Sequence, residues 1–428
     1  MLRCFIFAIL VWAVPALYAQ NRDTTVINER LSVQQAIRIA LERNPEINQS
    51  RQQLSAAQAR RWNALGLNTP QLSYFREGMP SNPVARQFMQ GAGFSEQRWE
   101  ISQTIQFPLT SIYQYRKLKY SAGAAEYQVN AKRLRLKADV KKVYTDLALS
   151  IKLLQLSQVQ LTLAKRLNDA VTTQKEVGQS SDIDLLKAQI QLAQSQNDLE
   201  ESQRKLHDAR YKLFTLIGLD PDEQSYTIEF PDTLRYLVYG VDQATVLSML
   251  ENQPEIQSLN RQFQSAQAAV GEQRSRVFPD IGIHFYRQDY GNGFDYNGIL
   301  LSLNLPIWFP FNQNVAVQEA RAARNEVRWM RQSTQLEMKK NIELSWHGYN
   351  NNLRMLERYH QAIQAQSEHL LELTFEGYQS GQIDLLTLLD AQRTYLQNQR
   401  GYFQILHDYY YQLIELEKYL HKDIVYHE

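Results

Sequence analysis

The 428 residues carry 46 basic and 45 acidic side chains, a formal net charge of +1, and a mean hydropathy of −0.47. That balance gives no long-range electrostatic grip on nucleic acid, and the hydropathy excludes a helical membrane transporter. The single cysteine, Cys4, excludes a disulfide and a cysteine-built metal centre in the mature chain.

The amino terminus, MLRCFIFAILVWAVPALYAQ, places Arg3 before an apolar run from Cys4 to Ala16, with small residues at Ala16 and Ala19. This is the pattern of a secretory signal peptide over residues 1–19, cleaved after Ala19. No cysteine follows that site to carry lipid, and no run of 18 apolar residues follows residue 20, so no membrane-spanning helix is expected. An exported chain of this kind is either soluble or part of a β-barrel.

From residue 32 the chain reads as two copies of one unit. Residues 32–66 and 242–275 are rich in Ala, Gln, Arg and Leu at helical spacing, and both stop before a proline, Pro70 or Pro279. Asn44-Pro45-Glu46 answers Gln253-Pro254-Glu255, and Ala57-Gln58-Ala59 answers Ala266-Gln267-Ala268. Period-two alternation follows in RWEISQTIQFP and NGILLSLNLPI and more weakly before them, which predicts strand pairs at 70–78 and 98–108, then at 279–287 and 297–307. Residues 112–176 and 314–378 contain no proline and predict long helices; about 60 residues at 1.5 Å each span ~90 Å.

Each long helix ends in a shared phrase, GQSSDIDLLKAQ from Gly178 and GQIDLLTLLDAQ from Gly381. Glycine reaches a positive φ at low cost, so both mark a helix reversal. Ser181 or Asp182, and Asp384, are placed to cap the returning helix. In the returning helices Leu185, Leu192, Leu199, Leu206 and Leu213, and Leu388, Tyr395, Tyr402, Tyr409 and Leu416, recur every seventh residue. That is coiled-coil packing with a left-handed supercoil. Ala188, Ser195, Ser202 and Ala209 permit close helix approach. Four strands cannot close a barrel, and open edges cannot face lipid. Several copies are therefore expected to share one barrel.

In its X-Pro-Glu motifs, its strand-ending Phe107-Pro108 and Leu305-Pro306 and its duplicated tips, the chain resembles the TolC-type outer-membrane efflux proteins along nearly all of its mature length. The resemblance implies a mainly α, internally duplicated fold, with long antiparallel coiled-coil helices forming an α-barrel and four strands per protomer in a shared trimeric 12-stranded β-barrel. It divides the chain into repeats at 20–217 and 241–428 around an equatorial linker at 218–240. It implies a homotrimer with its barrel in outer-membrane lipid and its helices in the periplasm. The partners would be a periplasmic adaptor protein and an inner-membrane pump of the resistance-nodulation-division type. The adaptor would meet Gly178, Gln179, Ser180, Gly381, Gln382 and Ile383. The family's pair of gate aspartates falls on Thr387 and Asp390, with Asp184 and Lys187 equivalent on the first arm; only Asp390 retains the acid.

Other constellations carry less. The eight histidines, His207, His284, His347, His360, His369, His407, His421 and His427, form no i, i+4 pair, so no metal site is expected. Tyr409-Tyr410-Tyr411 reads as core, because Tyr409 belongs to the heptad series. Trp99, Phe107, Trp308 and Phe309 suit either an interfacial girdle or packing beneath the barrel. No nucleotide loop or catalytic triad spacing is present, and no cofactor or catalytic residue is expected. The competing reading is a periplasmic coiled-coil adaptor or scaffold, which would not need strands with one apolar face.

Overall fold

The computed structural model describes residues 31–65, 68–77, 83–84, 96–220, 234–290, 293–420 and 422–426. The signal-peptide reading, most of the loop between the first two strands and the middle of the linker lie outside the described residues.

The first copy runs α1 (Val33–Arg43), α2 (Pro45–Arg60), β1 (Gln71–Glu77), β2 (Glu96–Ile105), α3 (Pro108–Glu176) and α4 (Asp182–Ile217). The second runs α5 (Gln243–Ser248), α6 (Pro254–Ser275), β3 (Asp280–Asp289), β4 (Asp295–Asn304), α7 (Asn312–Arg358), α8 (Gln364–Gln379) and α9 (Leu385–Leu420). α3 alone has 69 residues, about 100 Å at a helical rise.

The entry helices differ from expectation: each is broken at its X-Pro-Glu motif. Proline lacks the N–H that a helix interior needs but is at home in the first turn, so Pro45 and Pro254 begin new helices. Asn44 Oδ1 accepts from the backbone N–H groups of Glu46 (2.9 Å) and Ile47 (3.3 Å), while its Nδ2 donates to Leu216 O at 2.9 Å. In the second copy Gln253 Nε2 donates to Tyr419 O at 2.8 Å. The duplicated motif therefore performs one task twice, tying the start of α2 or α6 to the end of the returning helix of its own repeat.

The long helix of the second copy is also interrupted. A π-helical turn at Tyr359–Ile363 separates α7 from α8, and Tyr359 stacks on Tyr402 of the heptad series, centroids 4.4 Å apart. α3, by contrast, is unbroken and begins at Pro108, four residues earlier than expected. An 18-residue window of it reaches a mean hydropathy of 1.2, enough by length and composition to cross a membrane. Its polar groups nevertheless serve a coiled coil: Ser157 Oγ meets Ser202 Oγ at 2.7 Å, and Gln160 Nε2 donates to Asp198 of α4 at 2.7 Å.

Three of the four small residues opposite the leucine heptads are buried, and Ser202 is half-buried. Ala188 and Ser195 have no exposed surface and Ala209 is buried. The apolar core is divided along the arms. One cluster joins α1, α3 and α4, including Ile37, Val140, Leu147 and Leu213. A second joins α3, α6, α7 and α9, including Ile256, Ile342, Tyr409 and Leu413. A third, near the reversals, joins the two arms through Leu167, Val171, Ala188, Phe375, Tyr378 and Leu388.

The four strands form one antiparallel sheet in the order β1-β2-β3-β4. The β2–β3 ladder, with Ile101 opposite Phe285 and Gln103 opposite Ile283, fuses the two repeats in a single sheet. At the waist Lys141 of α3 is buried and donates to Glu417, to Asp423 at 3.1 Å and to Val425 O at 3.1 Å. Tyr426 of the carboxy-terminal segment stacks on Tyr410 and hydrogen-bonds Thr145, so this segment closes the junction between repeats.

Candidate functional site

The far ends of the arms are two copies of the same turn. Gly178 and Gly381 adopt φ of +76° and +73°. Gln179 N donates to Gln174 O at 2.8 Å and Gly178 N to Lys175 O at 2.9 Å. Gln382 N donates to Gly377 O at 2.8 Å and Gly381 N to Tyr378 O at 3.1 Å. Both are the glycine-terminated helix ending in which the last carbonyls are satisfied by a left-handed residue. Of the two cap candidates on the first arm, Ser181 is the residue used, its Oγ accepting from Asp184 N at 3.1 Å. On the second arm Asp384 accepts from Thr387 N at 2.8 Å. Those hydrogen bonds from Thr387, with Lys187 nearby, hold the Asp384 carboxyl below the usual aspartate range.

Gly178, Gln179, Gly381 and Gln382 are exposed at the reversals. Ser180 and Ile383 are half-buried for different reasons. Ser180 stands beside the buried Tyr378 side chain of the other arm, and Ile383 covers Gly377, where an added Cβ would stand 2.6 Å from its Cδ1. Gln174 Nε2 donates to Tyr378 O at 2.9 Å, and Arg166 stacks on Phe375 at 4.5 Å. Tyr378 and Phe375 are thus two of the residues through which the first arm holds the second.

The four gate positions singled out from the sequence are brought near these reversals, and both acids are paired within the protomer. Asp390 bonds Arg393 one turn on, and Asp184 lies 3.7 Å from Lys187. Thr387 and Asp390 are exposed on α9. Asp390 and Arg393 line a groove of about 440 Å³ between α3, α4 and α9, together with Gln160, Asp198, Gln392 and Arg400. Arg393 was invisible to the sequence reading, although its i, i+3 spacing from Asp390 was the available signal.

The sheet is inside out. Leu72, Ile101, Phe285 and Ile299 form one row across all four strands, and all are exposed. Ile283 with Leu301, and Ile105 with Ile281 and Leu303, continue the same face. Exposure there reaches 72% at Ile299 and 70% at Leu301, whereas Gln288 on the opposite face is 5% exposed. A water-soluble sheet would place these faces the other way round. From Ile299 to Leu305 the band runs about 20 Å along the strand, and exposed Ile307, Trp308 and Phe311 extend it. At the opposite border Arg76, Arg287 and Asp295 stand on the same face, with Arg287 and Asp295 paired at 2.6 Å. Among the girdle candidates Trp99 stays exposed against Tyr74, whereas Phe107 stacks on Phe278 at 4.4 Å.

The polar face carries a network that the scattered histidines did not foreshadow. Arg98 lies 2.5 Å from Glu100, whose other oxygen meets His284 Nδ1 at 2.7 Å, and His284 Nε2 meets Ser302 Oγ at 3.1 Å. Arg98 also lies over the Tyr286 ring at 4.3 Å. The signal was present in the alternation, since Arg98, Glu100, His284 and Ser302 all fall on the non-apolar parity of their strands. Among the described residues no group of three or more His, Cys, Asp or Glu is arranged to hold a metal ion.

The model of the outer membrane efflux protein family matches residues 36–219 and again 246–420. The chain belongs to the outer membrane efflux protein family. No curated protein matches it by sequence. Solved structures share the fold at low identity. A membrane protein from Pseudomonas aeruginosa is 18% identical, with 91% of this chain and 93% of that one covered at a TM-score of 0.79. VceC, an outer membrane protein from Vibrio cholerae, is 19% identical over 91% of this chain and 95% of that one, TM-score 0.77. The open state of the MtrE outer membrane channel from Neisseria gonorrhoeae is 18% identical over 91% and 88%, TM-score 0.74. The apolar-out sheet fits the outer-membrane setting of this family.

Proposed function

We propose that three copies of this outer membrane efflux protein close a 12-stranded barrel and form a passive exit duct. The observation that carries this reading is the inverted sheet, whose exposed face is apolar on all four strands. β1 and β4 are its two free edges. An even number of antiparallel strands lets β4 of one copy meet β1 of the next in antiparallel register, and rotation closes the ring. Eight strands give an interior that side chains nearly fill, so two copies would leave little bore; twelve leave a wider, water-filled one.

In this reading the arms of the three copies build a tunnel through the periplasm, and their tips, Gly178 to Ser180 and Gly381 to Ile383, receive a periplasmic adaptor. The adaptor is in turn bound to an inner-membrane pump of the resistance-nodulation-division type. The ring of Asp390 residues, with Thr387, Asp184 and Lys187, lines the narrow end. Solute passes without bond chemistry, so the protein is a conduit and not an enzyme, and cargo selection falls mainly to the pump.

The test is fractionation. The native protein should appear with outer membranes and migrate in detergent as a species of three chains that boiling converts to one. Recovery as a water-soluble monomer overturns the proposal. In the same strain, a bulky residue in place of Gly381 should abolish export while leaving the boiling-sensitive species intact; normal export would overturn the assignment of the tips.

A further inference from the structure

The polar face of the sheet is more organised than a wetted wall needs to be. Tyr286 lies flat over Gly298, directly opposite it in register, where any Cβ would collide with the ring. Gly282 leaves the same kind of space for Ser302 and His284. Glycine weakens a strand, so two glycines under two specific side chains mark positions where a neighbour must approach the backbone closely. The result is a connected ladder from β2 to β4: Tyr286 beneath Arg98, Arg98 on Glu100, Glu100 on His284, His284 on Ser302.

We propose that this ladder sets the charge selectivity of the barrel bore, holding the wall near neutrality there so that solutes of either sign can leave. The inference rests on the exit-duct reading, which turns this face toward the bore. Arg98 and Glu100 carry the charges, and His284 and Tyr286 are positioning residues. A guanidinium 2.5 Å from a carboxylate is a short dipole whose field dies quickly in water. A lone charge on the wall acts over a Debye length of roughly 8–10 Å at physiological salt, and three copies would set three such charges at one height. The pairing is therefore what separates an indiscriminate bore from a filter. Glu77 and Glu96, opposite each other nearer the loop end of β1 and β2, share this face and are unchanged in every variant below, so differences between variants report the ladder.

The experiment is the reversal potential of the full-length protein in planar bilayers under a potassium chloride gradient. Glu100→Gln should move it toward the chloride equilibrium potential, and Arg98→Gln toward that of potassium, each changing the permeability ratio by roughly twofold or more. The double variant should return to the wild-type value. His284→Leu, which frees the second Glu100 oxygen and lets the carboxylate separate from Arg98, should move it by less than either charge deletion; a purely structural role for His284 would lower channel yield and leave the potential alone. Wild-type protein that leaves the bilayer insulating overturns the duct reading and the ladder with it. Wild-type channels whose potential neither single charge deletion moves overturn the ladder alone.

Discussion

His407 Nε2 lies 2.7 Å from Asp146 Oδ1, joining the last helix of the second repeat to the long helix of the first. Its Nδ1 meets Asp408 at 2.9 Å, and the side chain is 12% exposed. Burial by itself would lower the imidazole pKa, but hydrogen bonds and charge from Asp146 and Asp408 outweigh it, and the pKa is raised. Lys142, which pairs with Glu415, reaches the same neighbourhood through Tyr411.

A raised folded-state value means that protonation stabilises the fold. The contribution is complete below the ordinary histidine pKa of about 6.5 and is lost as pH rises through the raised value. The Tm of the detergent-solubilised protein should therefore fall as pH rises from about 6 through that value. Asp146→Asn should flatten this dependence and, at low pH, cost about 1–3 kcal/mol for the lost charge-assisted bond. A Tm profile that Asp146→Asn leaves unchanged would remove His407 from the account.

The buried ion pair at the waist makes an asymmetric prediction. Lys141 is 1% exposed and donates to Glu417, Asp423 and Val425 O. Burial already pushes the Glu417 carboxyl up despite Lys141. Lys141→Met should destabilise by about 3–5 kcal/mol by stranding that carboxyl, whereas Lys141→Met with Glu417→Leu should recover most of the loss. Denaturant unfolding of the three proteins checks this, and equal losses in the single and double variants would contradict it.

Close helix approach can be tested at Ala188 of α4, which has no exposed surface and packs among Leu167, Val171 and Leu388. Ala188→Leu should cost about 1–3 kcal/mol through overpacking and loosen the contact between the arms. Protease cleavage near the reversals should rise accordingly. The same change at Ala193, an exposed alanine further along α4, provides the control and should leave both stability and cleavage nearly unchanged.

Between α3 and α6, a Cβ on Gly271 would stand 2.5 Å from the Tyr113 ring. Gly271→Ala should therefore destabilise by about 1–3 kcal/mol even though alanine is the better helix former by about 1 kcal/mol. Tyr113→Leu should relieve the clash, so the double variant should be more stable than Gly271→Ala alone. Thermal melting of both decides it.

The reversals at Gly178 and Gly381, the four strands and the heptads of α4 and α9 were legible in the sequence because each follows from local rules: glycine at positive φ, alternation of side chains on a strand, and a seven-residue period. Local rules also misplace what depends on partners. The breaks at Asn44 and Gln253 follow from proline, but their purpose, bonding Leu216 O and Tyr419 O, needs helix ends more than 160 residues away. The π turn at Tyr359–Ile363 leaves no trace in helix propensity.

Charge shows the same division. The sequence placed Asp390, Asp184 and Lys187 near the tips but not Arg393 as the partner of Asp390, and it read eight histidines as scattered. Only the tertiary structure set His284 between Glu100 and Ser302, and His407 between Asp146 and Asp408. By itself the sequence determined the repeat, the alternation and the hinge glycines, since these are set by periodicity and backbone sterics within a few residues. Which polar groups meet was decided by strand register and by the packing of α3 against α9, because a hydrogen bond depends on ångström-scale distance between segments that the chain order leaves free.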